Sequence, residues 1–232
     1  MNTGVSFSAS CGGPSLILQD DGRVHVDGLG IINRTWNKHV DDWRSLISQS
    51  ASKWDVPEAW IAGVMLQESG GVQQALSPVG AVGLMQIMPS TPKTMGLSTT
   101  KDELWKPETN IDIGAQLLSS LASRHKWNPV SVAASYNAGG VYCYSGKNCP
   151  HPGLWNVNEN CGYCEQVVRG INAAIDNGYS GTGATEQPSD SISVLKVAAA
   201  LGLALFPIGA LMYLGYVPAP KFARGLVKER WA

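Results

Sequence analysis

Val40, Trp43, Leu46/Ile47, Ala51 and Trp54 recur at the spacing of one helical face, which predicts an amphipathic helix over about 39–54. Pro57 suits a helix start and Gly70-Gly71 a stop, bracketing a second helix over about 57–69. Pro107 opens a third, striped by Ile111, Ala115, Leu118 and Ala122, with Arg124-His125-Lys126 at its negative end. Asn128-Pro129 opens a fourth that stops at Gly139-Gly140. A fifth carries Val167/Val168, Ile171 and Ala174/Ile175 up to Gly178. From Ser77 to Gly96, prolines and glycines break any long element. Near the start, Leu16-Ile17-Leu18 and Val24-His25-Val26 flank Asp20-Asp21-Gly22-Arg23, a hairpin pattern. The expectation is a small N-terminal β appendage over 1–35, in which Cys11 and His25 are bystanders, and a mainly α domain over 36–178.

Val197 to Val217 contains no charge, amide or small hydroxyl. At about 1.5 Å per residue it covers a hydrocarbon core of about 30 Å, which predicts a transmembrane helix within 192–220, kinked at Pro207. Residues 179–191, Gly/Ser-rich and without periodicity, read as a flexible tether, and 221–232 as a basic tail. Lys221, Arg224, Lys228 and Arg230 outweigh Lys196, so the charge bias puts the C-terminus on the cytoplasmic side. No cleavable signal is visible at the N-terminus, and membrane orientation stays open.

Composition changes this picture little. At 44% hydrophobic and 15% charged the chain can build a true core. A net charge of −1 provides no field suited to a phosphate backbone, so nucleic acid is not an expected partner.

One side chain contradicts its surroundings. Ile61 and Val64/Met65 mark the apolar stripe of the second helix, and Glu68 follows on the same side. Lost hydration disfavours a carboxylate there, and so does the negative end of the helix dipole. An acid kept protonated near neutral pH can protonate a leaving group, as a general acid does in glycoside cleavage.

Four blocks surround this position in order: Gln67-Glu68-Ser69-Gly70; the stretch from Ser77 through Gly80, Gly83, Gln86 and Met88 to Thr91; Pro107-Glu108-Thr109-Asn110-Ile111 with Gly114; and Ala134-Ser135-Tyr136-Asn137-Ala138-Gly139. With these the chain resembles the soluble lytic transglycosylase family over about residues 40–140. Pro92, where the family usually has Ala, is a departure. The resemblance implies a goose-type lysozyme-like fold and cleavage of the β-1,4 bond between N-acetylmuramic acid and N-acetylglucosamine in peptidoglycan. Glu68 would be the acid/base, Ser77, Gln86 and Met88 would line the saccharide cleft, and Tyr136 would stand beside the reacting centre. Asn137 and Asn110 would bind sugar or brace the loops. Met85 reads as core.

The motifs supply one carboxyl where most glycosidases use two. Asp102, Glu103, Glu108 and Asp112 sit in helix-start or solvated contexts and read poorly as a second. The family's route then uses the sugar's own C6 hydroxyl, giving a 1,6-anhydro product without cofactor or metal. Three rivals are a lysozyme-type hydrolase on the same fold, a membrane-anchored wall-binding protein without catalysis, and a transglycosylase of a bacterial secretion apparatus. A cell-wall enzyme with a C-terminal anchor and no visible signal suits a phage virion that opens the wall for genome delivery. Its location would be the virion membrane, or the host inner membrane with the catalytic domain facing the periplasm. Host and oligomeric state are not legible.

Cys143, Cys149, Cys161 and Cys164 cluster after the fourth block. Their spacings fit either disulfides or a zinc site, with disulfides favoured for a domain outside the cytoplasm.

Overall fold

A computed structural model describes residues 4–8, 11–142, 154–155, 157 and 161–183. All of the described residues fall within one compact unit, bounded by residues 1–187. The predicted transmembrane run 197–217, the basic tail, and Cys143 and Cys149 lie outside the described residues. Among the described residues, no helix is long and apolar enough to cross a membrane.

This unit is mainly helical, with a small antiparallel sheet. At its centre is α2 (Glu58–Glu68), buried at every position from Ala59 to Leu66. Such a helix has no solvent face, so its stability comes from neighbours on all sides. Those neighbours include α1 (Arg44–Trp54) and α4 (Pro107–Arg124); α5 (Pro129–Ala138) and α6 (Cys161–Asp176) complete the bundle. The expected 39–54 helix is two pieces, a 3-10 turn over Lys38–Trp43 followed by α1. Asn37 caps that turn by accepting from the His39 N–H. Asn128 caps α5 in the same manner, accepting from the N–H groups of Val130 and Ser131. A single turn, α3 (Thr91–Thr94), lies in the Pro/Gly-rich region.

The most extensive helix contact is α2 against α6. It is made possible by Gly63 and Gly170, whose backbones meet. A Cβ on Gly63 would lie 2.6 Å from the Ile171 nitrogen, and one on Gly170 would lie 2.8 Å from the Gly63 carbonyl oxygen. Glu68 follows Gly63, Tyr163 precedes Gly170, and their side chains touch, so the two helices run antiparallel.

The predicted hairpin is the middle of a four-stranded sheet, β1 (Gly4–Phe7), β2 (Leu16–Gln19), β3 (Val24–Val26) and β4 (Gly30–Ile31), in that spatial order. Leu16 pairs with Val26 and Leu18 with Val24. The outer strands are too short to give an alternating pattern in sequence. Leu16, Val24, Val26 and Ile32 share the helices' core. Asn172 of α6, fully buried, fixes the sheet: it accepts from the Val24 N–H and donates to the carbonyls of Val24 and Ile32. Cys11, expected to be a bystander, is disulfide-bonded. His25 lies in β3, and its Nδ1 is buried without a partner among the described residues.

Residues 179–183, expected to open a flexible tether, are packed against the helices where they are described. Tyr179 is buried under the Arg44 guanidinium, and the Ala59 N–H donates to the Ser180 carbonyl.

Because backbone occupies the space at Gly63, Gly63→Ala should destabilise the unit by about 1–3 kcal/mol. Chemical denaturation should show a lower midpoint with an unchanged slope.

Candidate active site

Glu68 is the last residue of α2, and the helix stops at once because Gly70 adopts φ +63 and its N–H returns to the Met65 carbonyl. The Ser69 hydroxyl donates to the Leu84 carbonyl at 2.7 Å and accepts from the Gly71 N–H, tying the helix end to the 77–91 loop. Burial pushes the Glu68 carboxyl up to about 7, opposed by a hydrogen bond of 2.5 Å from the Tyr163 hydroxyl to Oε1. Desolvation therefore wins over the donor, and the acid form persists near neutral pH. Burial and the nearby Glu68 charge drive the Tyr136 and Tyr163 phenols well above their usual range. Both remain neutral donors.

The loop opposite Glu68 is braced from within the core. Asn110 is fully buried; its Oδ1 accepts from the Met85 N–H at 2.7 Å, and its Nδ2 donates to the carbonyls of Val82 and Leu104. These three bonds brace the loop, one of the two roles open to it in sequence. Gln86, in the left-handed region at φ +47, donates to the carbonyls of Ala75 and Gly83. Its amide nitrogen is thus also committed to the loop. Ser77 accepts from the Ala81 N–H within a tight turn. Val82 and Ile87 exchange backbone hydrogen bonds across the loop. Met85 is buried, whereas Met88 is 37% exposed.

Tyr136 donates to the Met85 carbonyl at 2.9 Å, which ties α5 to the loop while its charge environment includes Glu68. Glu68, Tyr136 and the 77–88 loop are therefore brought together. Asn137, in the last turn of α5, is exposed.

Sequence reasoning missed Tyr163. The signal was present: Tyr163 lies one turn before Val167 on the buried stripe of α6. The flanking Cys161 and Cys164 give the same segment a second reading as a C-x-x-C pair. Cys164, a disulfide or metal candidate in sequence, is a free buried thiol whose Sγ lies 3.6 Å from the Val130 carbonyl. Cys161 opens α6. Among the described residues, no group of three or more His, Cys, Asp or Glu side chains could hold a metal ion.

Tyr163→Phe removes a donor that favours ionised Glu68, so its pKa should rise above about 7. Activity that needs the acid form is lost as pH rises through that value, and the variant's alkaline limb should move to higher pH. Carbon NMR titration of the glutamate carboxyl together with a kcat/KM profile checks both statements.

A family model described as Transglycosylase SLT domain matches residues 45–143. The soluble lytic murein transglycosylase of Escherichia coli (strain K12) is 32% identical over 120 residues, covering 47% of this chain and 18% of that protein. A transglycosylase of Enterobacteria phage PRD1 is 30% identical over 128 residues, covering 54% and 47%. The endo-type membrane-bound lytic murein transglycosylase A of Klebsiella pneumoniae is 36% identical over 101 residues, covering 38% and 50%. The chain therefore spans half or less of the length of these relatives. Among solved structures, the 70 kDa soluble lytic transglycosylase of Escherichia coli aligns with a TM-score of 0.48 and 27% identity, over 63% of this chain and 26% of that one. Glu68, the braced loop and Tyr136 all fall inside residues 45–143, the stretch that is similar to the transglycosylase SLT domain family.

Proposed function

We propose that this chain is a peptidoglycan lytic transglycosylase in which Glu68 acts first as acid and then as base. The observation that carries this reading is the buried carboxyl with its pKa near 7 at the mouth of the braced loop. Protonated Glu68 gives its proton to the glycosidic oxygen between N-acetylmuramic acid and N-acetylglucosamine as the C1–O bond breaks. The C6 hydroxyl of the muramyl residue closes on C1, and Glu68 takes that hydroxyl's proton back. A 1,6-anhydro ring forms, no water is consumed, and Glu68 returns to its starting state.

The surroundings of the other acids favour this route over two-carboxylate hydrolysis. Asp112 is held by Lys53 Nζ and the Trp54 indole. Glu103 accepts from the backbone and hydroxyl of Thr100, which lowers its pKa. Asp102 and Glu108 are exposed. Tyr163 holds one Glu68 oxygen, which leaves the other to carry the travelling proton.

Glu68→Gln keeps the acceptor for Tyr163 but carries no transferable proton, so turnover of purified peptidoglycan should fall by at least about 100-fold. Mass spectrometry of the parent's digest should give muropeptides lighter by one water than hydrolysis products. Reducing-end products would instead assign the hydrolase reading.

The apolar run 197–217 and the resemblance to a phage transglycosylase support a membrane-anchored virion enzyme that opens the wall locally for genome delivery. The chain should then be recovered from purified virions in the lipid-containing fraction. Recovery only from host membranes of uninfected cells would refute this.

A further inference from the structure

The segment between β4 and the 3-10 turn at Lys38 passes the Glu68 end of α2. Arg34 Nη1 donates to Gln67 Oε1 at 2.7 Å, one residue before Glu68. A Cβ on Gly70 would lie 3.1 Å from Asn37 Nδ2, and one on Gly71 would lie 2.5 Å from the His39 carbonyl carbon. The segment therefore touches this end of the helix on both sides of Glu68 in sequence. It is also fixed along its length. The Ile32 carbonyl accepts from Asn172, Asn33 donates to Asp176, the Trp36 ring stands 5.4 Å from that of Tyr179, and Val40 is fully buried. A side chain carried on such a segment loses little freedom when it binds.

Arg34 differs from the other described arginines. Arg23, Arg44 and Arg169 each have a carboxylate partner, and Arg124 is exposed. Arg34 is partly buried, and among the described residues its guanidinium meets only the neutral oxygen of Gln67. Burial holds its pKa below the usual guanidinium value. A guanidinium has five N–H donors, so one bond to Gln67 leaves most of them over. Asn37 adds to the surplus: its Oδ1 accepts from the His39 N–H, while its Nδ2 makes no hydrogen bond among the described residues. Donors outnumber acceptors here, and a partly desolvated cation lacks a counter-charge.

A planar fork with unused N–H groups matches a carboxylate in two-point contact. On a peptidoglycan strand the carboxylates belong to the peptide stem, which is joined to the lactyl group of N-acetylmuramic acid. Two extended peptide units add ~7 Å of reach, at about 3.3–3.6 Å each, which takes a stem carboxylate from the reacting ring to a group beside Glu68. We propose that Arg34 is a specificity residue that binds a carboxylate of the peptide stem and so favours glycan strands that carry stems. The proposal rests on peptidoglycan as the ligand, as argued above, and not on turnover. Arg34 precedes residues 45–143, so the contact is made by a part of the chain outside the stretch similar to the transglycosylase family.

The test measures binding by calorimetry, using the full chain in detergent with Glu68→Gln to prevent turnover. One ligand is uncrosslinked glycan strands bearing amine-acetylated stems; the other is the same strands with the stem carboxyls converted to amides by carbodiimide and ammonia. Kd should weaken about tenfold on amidation. Adding Arg34→Gln should bring the Kd for unamidated strands to the amidated value, and leave the amidated value within about twofold. Arg34→Lys keeps the charge but loses the fork, and should fall between the two. Equal Kd values for the two ligands with Arg34 in place would overturn the proposal, and so would binding of neither; this comparison needs no change at Arg34. A loss in Arg34→Gln that is the same for both ligands would reduce Arg34 to holding the segment on α2, and a tenfold difference retained in that variant would place the stem contact elsewhere; either result overturns the proposal. Turnover by the parent is scored separately: its absence would remove the catalytic reading and leave an Arg34-dependent difference in Kd standing.

Discussion

A carboxyl group at the end of a helix without a solvent face loses its water, and ionising it there costs free energy that only a well-placed donor returns. Glu68 is held in this position by the α2–α6 crossing. Close approach at Gly63 and Gly170 lets α6 lie against α2 along its length, and Tyr163 arrives at Glu68 as a result. Larger residues at the crossing would separate the helices, admit water and let the carboxyl ionise as in solution. The chemistry of the site thus depends on backbone packing more than one helical turn away.

The loop facing Glu68 could not hold its shape by local structure alone, since it contains two isolated bridges and a left-handed glutamine. Its rigidity is borrowed from the helices. Asn110 of α4, Ser69 at the end of α2 and Tyr136 of α5 each spend a polar group on loop backbone between Val82 and Met85. Three helices therefore converge on three loop residues, Val82, Leu84 and Met85, and buried hydrogen bonds of this kind are expensive to break because each leaves an unsatisfied group behind. Side chains that look in sequence like ligands for a sugar are in part the framework that holds this loop in shape.

Much of this was legible. Helix starts at Pro107 and Asn128-Pro129 and the stop at Gly139 are local signals, and local signals survive folding. Glu68 was legible because a carboxylate on an apolar stripe conflicts with its context. What the sequence concealed were relationships between distant segments. The Gly63–Gly170 approach has no periodicity to betray it. Asn110 gives the same residue pattern whether it binds sugar or braces a loop, and only its complete burial decides. Tyr163 continued an apolar stripe already recognised, but a C-x-x-C pair around it suggested a different chemistry. Cys11 stood alone in sequence, so its disulfide could be found only in three dimensions.

The N-terminal sheet also takes part in the site, although it contributes no side chain to the Glu68 carboxyl in the hydrogen bonds described. Asn172 clamps α6 to β3 and Ile32, Arg169 donates to the Asn33 carbonyl, and Asp176 takes both Asn33 and Arg23. α6 is thereby gripped on one side by the sheet and on the other by α2, and its rotation about its own axis is fixed. Rotation matters here, because it decides whether the Tyr163 hydroxyl meets Oε1 of Glu68. Both the sheet and α6 lie outside residues 45–143, the stretch that matches the family. The matched residues supply the acid and its loop, and the flanking residues supply the donor that sets how tightly the acid holds its proton.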